Sequence, residues 1–338
     1  MIGRDGWLFY APGVASVGGP GFLDPALMAS RVKAALDAGD APVFPDPRPA
    51  ILAFARFLAV RGIKLVFFPV PDKASLQPVE LHGRTADGGR EPGRNPDLEP
   101  LEAELRAAGV LVYDPSPDRL RPGEPPFFLR QDTHWTPAWM RAVADGLARF
   151  IAAAGIREAP AVGVWSTVPR TVARVGDVTD MLGLPDGQTL FMPETVTIDE
   201  VHGPSEQVFV PDERADVLLL GDSFTNVFSL EQMGWGAGAG FGAQLARALG
   251  RGVDVMAQND AGAHATRQLL HNALAGGEDR LHGKTVVVWE VASRELAVGS
   301  WAPVDWARGA PAPAATAVTA PAPAPPPSPS AKAREPSP

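Results

Sequence analysis

Four short apolar runs, separated by longer amphipathic stretches, constrain the architecture of this chain more than any other feature. Ile63 to Phe68, Val217 to Leu220, Val253 to Met256 and Thr285 to Trp289 have the length of strands, and apart from Lys64, Asp254 and Thr285 they are apolar on both faces. Between them lie stretches of helical period: 49–60, where Ile51, Leu52, Phe54, Ala55 and Leu58 recur on one side, then 98–108, 241–249 and 264–274. Gly109 reads as a helix stop, with a further short strand over Val110 to Tyr113. Strands buried on both sides and linked through helices predict an α/β fold with a central, mostly parallel sheet. Pro69 and Pro71 are expected to end the first strand, since proline removes a ladder donor.

Between Gly163 and Asp212 this pattern weakens, and pieces such as Thr195 to Ile198 suggest short β structure. The stretch 163–212 is expected to be an irregular or β insertion bordering the site, inside one catalytic domain over 1–307. Beyond it, 308–338 is dominated by Pro, Ala, Ser and Thr, so little can be buried to offset the entropy of ordering, and a disordered tail is expected. With 45% hydrophobic and 20% charged residues the remainder can build a full core. A net charge of -9 without any Lys/Arg cluster argues against nucleic acid as a partner. The lack of cysteine removes disulfides and thiolate chemistry together. MIGRDGWLFY has no basic stretch leading into an apolar one, and no run reaches the about 18 apolar residues of a membrane span, so neither an export signal nor a span is expected in the chain as written.

The chemistry points to Gly221-Asp222-Ser223, directly after an apolar strand. Ligands of open α/β sheets gather at the carboxyl ends of strands, and a serine on a tight turn there projects its hydroxyl into the crevice. Gly221 permits the turn; if a helical turn follows, its free N–H groups favour an oxyanion. A turn or capping serine is the simpler alternative. A nucleophilic serine needs a base, and of the six histidines only His134 has an Asp two residues before it, in Asp132-Thr133-His134-Trp135. On an extended segment residues two apart project to one side, so Asp132 could orient His134. The same residues also read as a helix start, with Thr133 or Thr136 as cap and Pro137 in the first turn of a helix reaching Ile151. Neighbouring histidines or carboxylates at ligand spacing are missing, so no metal and no other cofactor is expected. Asn259 and Gly262, in Gln258 to His264 after another strand, could donate to an oxyanion or simply cap the next helix. Arg294, just past the last strand, could reach the crevice or form an ordinary ion pair.

Five blocks in this order give the chain a wider likeness. Gly3-Arg4-Asp5-Gly6-Trp7-Leu8-Phe9, Pro69-Val70-Pro71-Asp72-Lys73, Asp132-Thr133-His134-Trp135, Gly221-Asp222-Ser223-Phe224 and Trp289-Glu290 through Leu296 together resemble the alginate O-acetyltransferase AlgX/AlgJ family. The resemblance implies an SGNH-hydrolase-like three-layer sandwich. It implies acetyl transfer through an acyl-serine at Ser223, with His134 as base and then acid and Asp132 orienting it, and it brings Lys73 among the candidate substrate-binding residues. It further implies a polysaccharide acceptor, an acetyl donor supplied with the help of a membrane acetyl-transfer partner, and a periplasmic or cell-surface setting. No β-sandwich carbohydrate-binding module is expected after Trp301. An acetylesterase with the same triad, and a catalytically idle glycan-binding or assembly protein, are the competing readings.

Overall fold

The computed structural model describes residues 1–83, 93–115, 126–156, 159–259 and 262–306; the 308–338 tail lies outside them. Five parallel strands form the main sheet: β1 (Lys64–Val70), β2 (Leu111–Val112), β5 (Val217–Gly221), β6 (Asp254–Ala257) and β7 (Val286–Ala292). Their order across the sheet is β2-β1-β7-β5-β6. The remaining strands, β3 (Ser166–Arg174) and β4 (Glu194–His202), pair antiparallel in a separate two-stranded sheet. That pair is the main β content of the 163–212 stretch, and its Val172, Val196 and Ile198 join the hydrophobic core on one face of the main sheet.

Side-chain alternation along the strands divides the core into two layers. Val66, Phe68, Val217, Leu219, Val286 and Val288 face one cluster, which is closed by helices α7 (Pro137–Ala153) and α10 (Phe241–Leu249). Leu65, Phe67, Leu218, Leu220, Val287 and Trp289 face the other, closed by α3 (Arg48–Ala59), α6 (Leu98–Ala107) and α11 (Gly262–Ala275). Both faces of the sheet are thereby covered, as the mostly apolar runs require. Shorter or peripheral helices complete the described chain: α1 (Ala11–Gly18), α2 (Pro25–Ala38), α4 (Lys73–Leu76), α5 (Pro78–His82), α8 (Asp177–Asp180), α9 (Ser223–Asn226) and α12 (Arg294–Val298). None of the helices is long and apolar enough to cross a membrane, among the described residues.

Pro69 does not stop β1, which continues to Val70 with Pro69 opposite Val291. Lys64 and Val70 hydrogen-bond toward the β7 side, whereas Phe67 receives Tyr113 N on the β2 side. By the alternation of the ladder the nitrogen of Pro69 also faces the β2 side, where β2 has already ended at Val112. Proline is tolerated there because its absent N–H has no partner to lose.

The carboxyl ends of the strands carry the chemistry-bearing residues. Asp72 and Lys73 follow β1, Asp222 and Ser223 follow β5, Asn259 lies beyond β6, and Ser293 and Arg294 follow β7. With β7 between β1 and β5, the chain leaves the sheet in opposite directions around it, which opens a crevice at this edge.

Candidate active site

Ser223 is the first residue of α9, on a turn stitched to the neighbouring strand. Asp222 caps the helix: its Oδ1 accepts from Phe224 N at 2.8 Å, while its Oδ2 accepts from Ala292 N at 2.9 Å. The backbone N–H of Asp222 donates to Glu290 Oε2 at 3.0 Å, and Thr225 Oγ1 donates to the same oxygen at 2.8 Å. A side chain at Gly221 would collide with this arrangement, since a Cβ there would sit 2.1 Å from Thr225 Oγ1 and 2.9 Å from Glu290 Oε2. Gly221 is thus a close-approach position and does not line the cleft. The expected supply of free N–H groups after Ser223 is also smaller than the sequence suggests. Phe224 N is taken by the Asp222 carboxylate, and Thr225 N and Asn226 N donate to its carbonyl.

Asp132 and His134 are joined, though not on an extended segment. Residues 130–134 form a run of bends, and Asp132 Oδ1 accepts both His134 N at 3.0 Å and His134 Nδ1 at 2.6 Å. The first of these is an Asx turn, in which an Asp side chain bonds the backbone two residues on. It holds the carboxylate against the ring whatever the strand period. Immediately afterwards Thr136 caps α7, with Trp139 N donating to its Oγ1 at 3.3 Å, so the helix-start reading and the Asp-His pairing hold together.

Two residues that sequence reasoning missed complete the surroundings of Asp132. Trp235 Nε1 donates to Asp132 Oδ2 at 2.8 Å, and the backbone N–H of Asp177 donates to the same oxygen at 3.1 Å. Asp177 in turn accepts Thr133 N on Oδ1 at 2.7 Å and Thr133 Oγ1 on Oδ2 at 2.5 Å. Atoms of Asp132, His134 and Asp177 lie within 4.8 Å of one another, and each carboxylate oxygen of the group already holds a protein donor. The only local signal for this contact is Gly176: a Cβ there would lie 2.3 Å from Gln131 O and 2.7 Å from Asp132 N.

Asp132 and His134 are almost wholly enclosed, at 1% and 3% exposure. Burial alone would raise the Asp132 pKa. The adjacent His134, together with hydrogen bonds from His134, Trp235 and Asp177, outweighs it and holds the carboxyl well below the usual carboxylate range. For His134 burial works downward, and Asp132 and Asp177 overcome it, so the imidazole pKa lies above its ordinary value. The other ring nitrogen, Nε2, is buried and has no hydrogen-bond partner. Ser223 does not donate to it in this structure, but the Phe224 ring next to Ser223 packs edge-on against the imidazole at 4.9 Å. Catalytic hydrogen bonds are often loose in free enzymes and tighten around substrate.

Ser223, His134, Asp132, Asn259 and Arg294 line one cleft of about 540 Å³, with Tyr10, Arg174, Asp177 and Met233 among the other walls. Asn259 accepts from Asn226 Nδ2 at 2.8 Å, and its own amide reaches only the weakly accepting sulfur of Met233 at 3.4 Å. The Arg294 guanidinium lies 5.2 Å from the Tyr10 ring and 5.7 Å from the Phe224 ring. Gly262 begins α11, where a Cβ would meet Glu295 Oε2 at 2.7 Å, and it is not part of the cleft wall.

Lys73, also expected among the substrate-binding residues, stands outside the wall of this cleft and is turned to backbone carbonyls. Its buried Nζ donates to Leu8 O and Leu129 O at 2.6 Å, and to Arg130 O and Asp132 O at 3.0 Å. The rings of Trp7 and Phe9 each lie 5.0 Å from the ammonium. A hairpin turn at Asp5 and Gly6, both at positive φ, brings this N-terminal strand round, and Leu8 N donates to Arg130 O at 2.9 Å. Three blocks that are distant in sequence are therefore clamped by one ammonium ion behind the Asp132–His134 loop. Lys73→Met leaves four buried carbonyls without this donor and is expected to destabilise the protein by about 3 kcal/mol. The measurement is urea unfolding, and a midpoint equal to that of the unmodified protein would contradict the clamp.

Comparison with known proteins places this architecture. Residues 1–293 match the family model described as SGNH hydrolase-like domain, acetyltransferase AlgX. The probable alginate O-acetylase AlgJ of Pseudomonas aeruginosa is 28% identical over 191 residues, 54% of this chain, and the aligned region spans 41% of the length of that relative. Among solved structures, the O-acetyltransferase domain of Pseudomonas putida AlgJ superposes with a TM-score of 0.60 at 23% identity, covering 88% of this chain and 92% of that one. Pseudomonas aeruginosa AlgX superposes with a TM-score of 0.54 at 16% identity, covering 88% of this chain and 65% of that one. Both structural matches carry the fold, an α/β sandwich around a mostly parallel sheet, and the family match covers nearly all of the described residues. The chain belongs to the family of SGNH hydrolase-like acetyltransferase domains typified by AlgX.

Proposed function

We propose that this chain is a polysaccharide O-acetyltransferase that works through an acetyl-serine at Ser223. The observation that carries the reading is the buried Asp132–His134 pair, which lines the same cleft as Ser223 and whose Nε2 has no hydrogen-bond partner. His134 Nε2 takes the Ser223 proton as Oγ attacks the acetyl carbonyl of the donor, and Asp132 stabilises the imidazolium that forms. The Ser223 N–H, at the start of α9, and the Asn259 amide on the same cleft wall would receive the oxyanion. Collapse of the tetrahedral intermediate breaks the bond to the donor's leaving group, which takes the proton back from His134. An acceptor hydroxyl then attacks the acetyl-serine, passes its proton to Nε2, and Ser223 leaves with that proton restored.

Arg294 and Tyr10 form the wall against which a sugar would lie, the guanidinium offering hydrogen bonds and the ring an apolar face. The relative named as a probable alginate O-acetylase supports a polysaccharide acceptor. On this reading the site lies in the periplasm or at the cell surface, and a membrane partner delivers the acetyl groups. The test is incubation with an activated acetyl ester and a panel of oligosaccharides, with products read by mass spectrometry. Acetylated oligosaccharide is the expected product. Acetate formed at the same rate with and without every oligosaccharide would make the chain an esterase instead. Oligosaccharide binding with no ester turnover at all would make it a binding protein.

A further inference from the structure

Asp177 has no role in the triad scheme, yet its carboxylate is aimed at the same histidine nitrogen as Asp132. Its Oδ2 lies 3.7 Å from His134 Nδ1. Thr133 Oγ1 sits between them, donating to Asp177 Oδ2 at 2.5 Å and lying 3.3 Å from His134 Nδ1. The contact is reciprocal, because Asp177 N donates to Asp132 Oδ2 while Thr133 N donates to Asp177 Oδ1. Asp177 thus reaches the Asp-His loop from a separate element, the short α8 between β3 and β4, with Gly176 allowing the backbones to touch.

We propose that Asp177 is a positioning residue that acts on His134 through Thr133 and through its own negative charge, dividing with Asp132 the task of holding the imidazole. The proposal rests on the reading of His134 as the general base. Two carboxylates beside one imidazole favour its protonated form, and a base must be neutral to accept the Ser223 proton. The charged groups that face His134 are Asp132 on its own loop, Asp177 on α8 and Arg294 on α12, and only Arg294 opposes protonation. Behind the loop, the Lys73 ammonium and the Glu194 carboxylate, which receives Arg130 N at 2.8 Å, flank the same segment. The raised His134 pKa places the acid limb of kcat/KM above its ordinary value of 6.5, so activity climbs as pH passes that limb. Removing the Asp177 charge favours the neutral ring and moves the limb to lower pH.

The experiment is the pH dependence of kcat/KM for hydrolysis of 4-nitrophenyl acetate by the intact protein and by Asp177→Asn, Asp177→Glu and His134→Ala. Asp177→Asn is expected to lower the acid limb by about one pH unit, while Asp177→Glu, which keeps the charge, leaves it near that of the unmodified protein. Where the amide variant does not fold, Asp177→Ser removes the charge, retains an acceptor for Thr133 and gives the same downward shift. A charge-removing variant whose limb coincides with that of the unmodified protein, or a shift in Asp177→Glu as large as in Asp177→Asn, overturns the role of Asp177. His134→Ala with undiminished turnover would instead remove the general base on which the proposal rests, so the two failures are told apart.

Discussion

Ser223→Ala is expected to lower acetyl transfer by at least about 10⁴-fold, because no other group at the turn can carry the acyl intermediate. The fold should be indifferent to the change. The turn is held by Asp222, Glu290 and Thr225, and none of their hydrogen bonds uses the Ser223 hydroxyl. Rapid quenching with an acetyl ester, followed by peptide mass spectrometry, should find the acetyl group on the peptide containing Ser223 and on no peptide of the alanine variant. Retention of activity in that variant would eliminate the acyl-serine route.

Asp132→Asn is the second large effect, expected to lower kcat by about 10⁴-fold through loss of the orienting carboxylate and of the correct imidazole tautomer. The geometry adds a stability cost. Both oxygens of Asp132 accept from donors: His134 N and Nδ1 on one, Trp235 Nε1 and Asp177 N on the other. An asparagine has one acceptor end, so in either orientation its NH₂ meets donors, at a cost of about 2 kcal/mol. Acetyl-ester turnover and urea unfolding measured on the same preparation would separate these effects. A variant with lost activity and unchanged stability would mean that the Trp235 and Asp177 bonds contribute little to folding.

The fold was legible because burial on both faces writes itself directly into sequence: Val217 to Leu220 and Val286 to Trp289 are apolar at every position and could only be central strands. Asp132 and His134 were legible as a pair, but the expected reason was wrong. An Asx turn, which depends on one side chain and one N–H, brings them together where strand alternation was expected. Beyond the glycine at 176, Asp177 and Trp235 left little to read, since their contacts with Asp132 cross 45 and 103 residues. Lys73 was visible as part of a motif, yet its role was not: a lysine's preference for solvent gives no hint that four carbonyls will enclose it.

That enclosure has a consequence for how the site comes into being. The ammonium of Lys73 ties together positions 8, 73 and 129–132, and Trp235 arrives at the same loop from still farther along the chain. Contacts of such long range close late, after the loop-closure entropy has been overcome. A fragment holding the sheet would contain the serine and both partners as residues without containing them as an arrangement. With Ser223 as the nucleophile, its reactivity would belong to the topology as much as to the side chains, and a nascent chain is expected to stay inert until its remotest parts have met.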